Sequence, residues 1–178
     1  MNKGFTIIEM VISIFILSIA IITIFGSFSL MVQLSSEAGD RLTATYLAQE
    51  GVEIIRNIRD TNWLASATGS GVVAWDDGLS ACSSALGCEV DYKTTGFGEN
   101  PVYPWQDRFL KTDVDNHFYG YDSGTDTKFK RKITIDKTLA PYILKVKVKV
   151  SWKKKPSVID PNGAEGTTEA EDILYNWH

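Results

Sequence analysis

The sequence predicts an α+β protein in which one long N-terminal helix packs on an antiparallel β-sheet, giving a lollipop-shaped subunit. Two patterns indicate this fold. An uncharged apolar segment continues without proline into an amphipathic pattern that reaches residue 59. Residues 142–152 alternate between apolar and polar side chains, which is typical of a half-buried strand. With 178 residues, the chain has room for one anchor and one modest domain.

The apolar segment is long enough to span a membrane. Residues 10–32 carry no charge, and these roughly 23 residues cross a bilayer of ~30 Å at ~1.5 Å per residue. Glu9 lies at the edge of this segment. An ionised group costs about 2.5–3.5 kcal/mol at the bilayer centre and less near the interface. The nearest cations are Lys3 and the chain's own start. We therefore expect another subunit to provide the partner of Glu9; the alternative is that its side chain snorkels to the interface.

The amphipathic half of the helix predicts a face that covers a sheet. Its apolar residues recur at steps of three and four, so one helix of ~55 residues and ~80 Å is expected. Near its end, Arg56 and Asp60 are spaced for an ion pair. Together with Arg59 they are interpreted mainly as a solvated helix end and partly as contacts to a neighbouring subunit. The predicted buried stripe is Leu34, Ala38, Leu42, Thr45, Ala48, Val52, Ile55 and Ile58.

The first residues carry a specific motif. Gly4-Phe5-Thr6-Ile7-Ile8-Glu9, after a very short basic leader and before a long apolar helix, resembles the processing motif of type IV prepilins and type II secretion pseudopilins. The resemblance implies that prepilin peptidase cleaves between Gly4 and Phe5 and methylates Phe5. It also implies that Glu9 pairs with the N-terminal amine of a neighbouring subunit during assembly.

This resemblance implies an organisation and a role for the whole chain. It divides the chain into a leader (1–4), a transmembrane and assembly half-helix (5–34), an amphipathic half-helix (35–60) and a globular β head (61–178). The expected product is a structural subunit, a minor pilin or pseudopilin, and not an enzyme. Its partners would be prepilin peptidase, other pilin-like subunits and the inner membrane. Lys3 favours a cytoplasmic N-terminus, with the head outside and later in a periplasmic or surface filament.

Two alternatives remain open. The motif could occur by chance on a signal-anchored extracytoplasmic binding module or an unrecognised enzyme. A cleavable secretory signal could end at Ser36-Glu37-Ala38. The apolar region of such a signal is ~7–15 residues long, however, and the segment in this chain is much longer. Against an enzyme, the sequence contains neither a Gly-x-Ser-x-Gly motif nor a phosphate-binding loop.

The middle of the chain predicts an irregular connection. Residues 63–104 are rich in Gly, Ser, Ala and Thr, and one strand is expected among them. Cys82 and Cys88 are the two cysteines of the chain, and in an exported protein they favour a disulfide. Such a short loop contributes about 2–3 kcal/mol, so we expect it to shape an exposed loop and not to hold the fold.

The last third predicts the sheet. Residues 129–135 are the expected partner strand of residues 142–152, joined by a turn at residues 136–141. Residues 173–177 are expected to form a short last strand. The apolar side of the sheet would cover the helix. On residues 142–152 that side consists of Leu144, Val146, Val148, Val150 and Trp152.

Lysines on the other side of the sheet permit two interpretations. They could contact DNA, anionic surface polymers or an acidic partner subunit. They could instead keep the strands soluble and discourage edge pairing, which we favour. Losing Lys3 with the leader leaves 17 basic against 22 acidic residues, a net charge of −5, which argues against a head built mainly to hold nucleic acid. The lysines are Lys128, Lys130, Lys132, Lys145, Lys147, Lys149, Lys153, Lys154 and Lys155.

An acidic loop provides weak candidates for calcium ligands. Asp113, Asp115, Asp122 and Asp126 lie close together in sequence, and some pseudopilin heads, which this chain resembles, bind calcium in late loops. The EF-hand spacing fails because His117 occupies the third ligand position. A solvated turn is the favoured interpretation, and no other cofactor is expected.

Overall fold

The computed structural model describes residues 4, 6–68, 73–83, 86–96, 102–113, 117–156 and 160–176, without the side chains of 138–140. Helix α1 spans Ile7–Ala67, and a short 3-10 helix spans Ser80–Cys82. The predicted α+β class, with one long helix and an antiparallel sheet head, is confirmed. The strands are β1 (Cys88–Glu89), β2 (Tyr103–Pro104), β3 (Lys111–Thr112), β4 (Tyr119–Gly120), β5 (Thr125–Asp126), β6 (Phe129–Ala140), β7 (Ile143–Lys153) and β8 (Glu165–Tyr175).

The strands form two antiparallel sheets. The main sheet has the order β2-β1-β6-β7-β8, and the small sheet has the order β4-β3-β5. In the main sheet Phe129 lies opposite Trp152 and Ile133 opposite Val148, so the predicted pairing of β6 with β7 is confirmed. Strand β7 alternates as expected, with its apolar side chains buried and its lysines turned to the other face.

The helix continues beyond its predicted end and belongs to two compact units. One unit ends at Asp40 and the next begins at Arg41. The second half of α1 packs on the main sheet so closely that a Cβ on Gly51 would lie 2.9 Å from Cγ1 of Val148. Because only a small residue permits this approach, Gly51 brings the helix axis near β7. The buried residues of the helix are Ala44, Leu47, Ala48, Gly51, Val52, Ile55, Ile58, Arg59 and Asn62.

Parts of the predicted helix face are wrong. The stripe is correct for Ala48, Val52, Ile55 and Ile58, but Leu42 is 57% exposed and Leu34 is also exposed. The expected solvated end near residue 60 is wrong as well. The helix runs on to Ala67 because its later residues, up to the buried Asn62, still contribute to the core.

The arginines of this region pair with other partners than predicted. Nη2 of Arg56 lies 2.6 Å from Oδ2 of Asp172 on β8, and Arg56 also pairs with Glu53. Arg59 is buried, and its Nε donates to Oδ1 of Asp60 over 2.8 Å. The expected pair of Arg56 with Asp60 is therefore replaced by a bond between the helix and the sheet.

Three strand predictions need correction. The last strand is β8, which begins at Glu165 and not at residue 173, and Trp177 lies outside the described residues. Strand β6 does not turn at Asp136 but continues to Ala140 with an irregular register. The acidic loop contains the small sheet instead of a plain turn. Strand β8 and the strands of the small sheet are held by ladder bonds to a neighbour rather than by an apolar alternation of their own.

A buried cation connects the helix with the main sheet. Arg131 of β6 is fully buried, and it donates from Nη1 to the Leu47 carbonyl over 3.1 Å and from Nη2 to the Val90 carbonyl over 2.7 Å. Nη1 also lies 3.2 Å from Oε2 of Glu50. Since a buried charge is costly unless it is paired, these contacts are what make Arg131 compatible with the core.

Candidate assembly site

The residue before the predicted cleavage point is open to solvent. Gly4 is exposed, and no atom lies within 4 Å of the position that a Cβ would take. Phe5, the expected methylated residue, lies outside the described residues, as do residues 1–3. Cleavage after Gly4 and methylation of Phe5 therefore stay predictions.

The start of α1 positions Glu9. The N–H of Met10 donates to the Thr6 carbonyl over 3.2 Å, and the N–H of Glu9 approaches Oγ1 of Thr6 at 3.4 Å. Thr6 thus occupies the N-cap position, and Glu9 the third helical position of a Thr-x-x-Glu capping pattern. The positive end of the helix dipole favours a carboxylate there.

The carboxylate of Glu9 is exposed at this helix start. Within the described part of the chain, no cation forms an ion pair with it. The carboxylate is thus accessible, and its pairing with a neighbouring subunit stays a prediction.

The apolar segment after Glu9 is exposed along its length. Ile22, Phe25 and Met31 are among many large apolar side chains with most of their surface accessible. Among the described residues, helix α1 has the length and the apolar composition needed to cross a membrane. None of its most apolar stretch is buried. These side chains have no partner inside their own described unit, so their burial requires lipid or other helices.

Hydroxyl groups of the apolar segment bond to their own helix. Oγ of Ser13 donates to the Glu9 carbonyl, and Oγ of Ser18 to the Ile14 carbonyl, each over 2.8 Å. Thr23 and Ser27 donate in the same way to carbonyls three or four residues earlier. Each hydroxyl is satisfied without water, which permits it in an apolar environment.

The cysteines are joined, but not in an exposed position. Cys82 and Cys88 form a disulfide with an S–S distance of 1.93 Å. Both residues are fully buried in the core, so the expectation that the bridge serves an exposed loop is wrong for the cysteines themselves. Leu86 between them is exposed. The bridge therefore anchors β1 and the 3-10 helix in the core.

The calcium candidates that the structure describes do not form a group able to hold a metal ion. Asp115 lies outside the described residues, Asp126 is exposed on β5, and Asp122 lies 3.4 Å from Nζ of Lys93. The hydrogen bond with Asp122 raises the pKa of Lys93. Across the described residues, no group of three His, Cys, Asp or Glu side chains is placed to hold a metal ion. Calcium binding at Asp113 and its neighbours stays a prediction.

A buried carboxylate that the sequence reasoning missed organises the head. Glu89 is fully buried, and its Oε1 accepts the N–H groups of Gln106 over 3.0 Å and Arg108 over 3.2 Å. Its Oε2 accepts Nε of Arg108 over 2.7 Å. The signal was a Glu between Cys88 and Val90, because a carboxylate inside an apolar run needs partners. Glu89 fixes the loop that follows β2.

Comparison with known proteins identifies the N-terminal signal. The model of the prokaryotic N-terminal methylation motif matches residues 1–25, so the chain carries the type IV prepilin-like signal. Together with the long helix and the antiparallel head, this motif suggests a type IV pilin-like protein. No curated protein and no solved structure matches the chain. The match ends within the apolar part of α1, and the role of the head has to be argued from its own residues.

Proposed function

We propose that the protein is a structural subunit, a minor pilin or pseudopilin, of a type IV pilus or a type II secretion pseudopilus. The observation that carries the proposal is the continuity of the methylation motif at residues 1–25 with an apolar helix that its own unit leaves exposed. When a membrane or a fibre covers this helix, the free energy falls by about 25 cal/mol for each Å² of apolar surface removed from water.

The proposed pathway uses the residues of the N-terminal segment in order. Prepilin peptidase cleaves between Gly4 and Phe5 and methylates the new N-terminus. The subunit waits in the inner membrane as a single-pass protein with a cytoplasmic N-terminus and an extracytoplasmic head. During assembly, the helix moves from lipid to a bundle of similar helices in the filament. Glu9 pairs with the amine of a neighbouring subunit there and sets the axial register.

The physical support for this role of Glu9 is its position. It is exposed in the first turn of α1, and no charged group follows it until Glu37. A carboxylate at an apolar surface is costly without a partner, and pairing with an amine removes much of that cost. The pair is therefore favoured only where another subunit is present, which couples charge neutralisation to assembly.

The intact mass and N-terminal peptide of the protein, recovered from its own membranes, test the proposal. We expect a chain that begins at Phe5 with one added methyl group. Gly4→Leu should give only the unprocessed precursor, because a bulky residue replaces the open glycine before the cleavage point. Gly26→Leu is the matched control: its Cβ position is also open, and its processing should be normal.

Other N-termini would contradict the proposal. A chain that begins at Met1, with no pilin-like proteins copurifying, would support the signal-anchored alternative. A chain that begins just after Ala38 would identify a cleaved secretory signal. A mature-sized product from Gly4→Leu would contradict the assigned cleavage point.

A further inference from the structure

The two edges of the main sheet differ in how they are protected. Strand β2 forms one edge, and it consists of two residues that end at Pro104, which has no N–H group. Strand β8 forms the other edge and extends over 11 residues, Glu165–Tyr175. Short length, proline, lysine and β-bulges are common ways to protect an edge strand. Strand β8 contains neither proline nor lysine, and its register with β7 is continuous, so it has none of these features.

The register shows which backbone groups of β8 point outward. Opposite residues of an antiparallel pair alternate between those that exchange hydrogen bonds and those that do not. The N–H of Asn176 donates to the Tyr142 carbonyl over 2.9 Å, and the N–H of Lys154 donates to the Ala164 carbonyl over 3.3 Å. All pairs between these two bonds follow the same register. The even-numbered residues of β8 therefore bond to β7, and the odd-numbered residues direct their N–H and carbonyl groups away from it.

Three successive outward residues have open backbone groups. They are Thr167, Glu169 and Glu171, and all three are exposed. Within the described residues, their outward N–H and carbonyl groups have no hydrogen-bond partner. The next outward N–H, that of Ile173, is already bonded, because Oδ1 of Asp172 accepts it over 2.8 Å. The open part of the edge thus has the length of a short extended segment.

The side chains of these outward residues lie on the face of the sheet that is turned away from α1. Oε2 of Glu169 lies 2.8 Å from Nζ of Lys147, and Oε2 of Glu171 lies 3.1 Å from Nζ of Lys145. The glutamate side chains nevertheless remain 41% and 43% exposed. Because β7 already pairs with both carboxylates, we expect the backbone to supply the affinity for an added strand and the glutamates to select its charge.

A second copy of β8 is a poor partner for this edge. In a two-fold antiparallel pair centred on Glu169, that residue would lie opposite itself. If the register moves by one step, Glu165 lies opposite Glu171, or Glu169 lies opposite Glu171. Like charges directly opposite each other destabilise a pair of strands. A strand with basic residues at these positions would instead repeat the arrangement that β7 has on the other side of β8.

We propose that the outer edge of β8 binds an extended segment of another protein that carries Lys or Arg at every second position. The segment adds to the main sheet as a further strand. The N–H and carbonyl groups of Thr167, Glu169 and Glu171 form the new ladder bonds, and the basic side chains lie beside the glutamates. The proposal concerns the head and does not depend on the proposed assembly role of the N-terminal helix.

Peptide titrations of the full-length protein in nanodiscs of neutral lipid test this proposal, with empty nanodiscs as the blank. The probe is a labelled ten-residue peptide of alternating Thr and Lys. Its first comparison peptide has the same sequence but carries a methyl group on the backbone nitrogen of each lysine. This peptide keeps the charge but cannot donate to the carbonyls of β8, so we expect at least fivefold weaker binding. The second alternates Thr with Glu, and it should bind at least tenfold more weakly.

Variants of the chain separate the backbone from the charge. Glu169→Pro removes an outward N–H without removing a bond to β7, and proline is tolerated at such an edge position. We expect at least fivefold weaker binding of the Thr-Lys peptide. Glu169→Gln is the matched control, because it removes the same charge and keeps the N–H, and it should weaken binding less than threefold. Near-ultraviolet circular dichroism should be unchanged in both variants.

Several outcomes would overturn the proposal. Equal binding of the methylated peptide would show plain electrostatic attraction, and equal binding of the Thr-Glu peptide would remove the charge selection. Absence of binding by the Thr-Lys peptide would reject strand addition at this edge. Self-association of the chain that Glu169→Pro abolishes would identify a second copy as the partner. If Glu169→Pro does not fold, the comparison of the peptides still decides, because it leaves the chain unchanged.

Discussion

The two halves of α1 are both helical, but they differ in composition and in what surrounds their side chains. Ile22 in the first half is 70% exposed, whereas Ile55 in the second half is fully buried in the core of the head. Residues 10–36 carry no titratable group, and the second half alternates apolar with charged residues. The difference teaches that hydrophobicity alone does not identify core. A polar face identifies a helix that belongs to the core, because a helix that covers a sheet keeps its opposite side in water.

The polar groups of the two halves differ as well. In the first half, hydroxyls bond to their own helix, so no neighbour is specified. In the second half, Nη2 of Arg56 reaches Asp172 on β8, and Nε1 of Trp63 donates to Oδ1 of Asn176 over 3.1 Å. The second half is thus fixed to one place on the sheet by directed bonds. The apolar side chains of residues 10–34 offer non-directional contacts, and Glu9 precedes them, which suits a segment that changes its surroundings.

The largest expected effect on stability separates the two halves directly. Ile55→Ala should lower the free energy of unfolding by about 2–5 kcal/mol, because it removes a fully buried side chain and leaves a cavity. Ile22→Ala makes the same chemical change on the exposed half and should change it by less than about 0.5 kcal/mol. Denaturant unfolding of the detergent-solubilised chain, followed by near-ultraviolet circular dichroism, measures both. Similar losses in the two variants would show that the halves are not distinct.

Alkaline pH should destabilise the head in part through Tyr121. Burial raises the pKa of Tyr121 from its ordinary value of 10.0 to about 12, an effect that the positive charge of Arg131 partly opposes. The neutral phenol is therefore favoured in the folded state. Its contribution is fully present below pH 10 and is lost as pH rises through 12. With about 1.36 kcal/mol for each unit, the loss is about 2–3 kcal/mol.

The variant Tyr121→Phe isolates this contribution. It lacks the bond from the phenol to the Arg131 carbonyl, so it should be slightly less stable near pH 8. Its stability should then fall less steeply than that of the original chain between pH 10 and 12. Unfolding curves measured at several pH values compare the two chains. Parallel losses over this range would contradict the assignment to Tyr121.

Glu9→Ala should change assembly without changing insertion. The variant removes the charge that we expect to pair with a neighbouring amine, and a loss of about 1.4 kcal/mol corresponds to a tenfold decrease in incorporation. The ratio of the subunit in sheared filaments to the subunit in membranes measures this effect in the native cell. Glu53→Ala, at an exposed carboxylate of the second half, is the control. Normal incorporation of Glu9→Ala would remove Glu9 from the proposed mechanism.

The sequence predicts those elements of the head whose own residues have a clear period. The second half of α1 from Ala48 onward and the strands β6 and β7 follow their apolar patterns. Strand β8 has no such pattern, since its inward side includes Gly166 and Asp172. Gly166 is required there because a Cβ would lie 2.4 Å from the Trp152 ring. That requirement is set by a neighbouring strand, which periodicity within β8 does not reveal.

The N-terminal site could be predicted from sequence to a greater extent than the buried polar groups of the head. The motif around Gly4 and Glu9 is local, and the methylation-motif match confirms that the signal is present. Glu89 and Arg131 depend on carbonyl and N–H groups that come from distant parts of the chain. Their role is a property of the tertiary structure, because a buried charge is recognised only through its partners.

The smallest expected effect concerns the hydroxyls of the first half. Ser18→Ala should change stability and membrane insertion by less than about 0.5 kcal/mol, because Oγ of Ser18 bonds only to a carbonyl of its own helix. Asn62→Ala in the second half makes an instructive contrast. Nδ2 of Asn62 donates to the Trp75 carbonyl over 3.1 Å and to the Asp77 carbonyl over 3.0 Å.

Removing Asn62 should cost about 2 kcal/mol or more, because it leaves two acceptors without this donor and opens space in the core. Denaturant unfolding and the membrane-bound fraction measure both variants. A loss for Ser18→Ala as large as that for Asn62→Ala would mean that the hydroxyl of Ser18 contacts a second helix. The first half would then also be fixed by a directed hydrogen bond. The two halves would differ in the partner of that bond, which would be another helix for the first half and the chain's own head for the second.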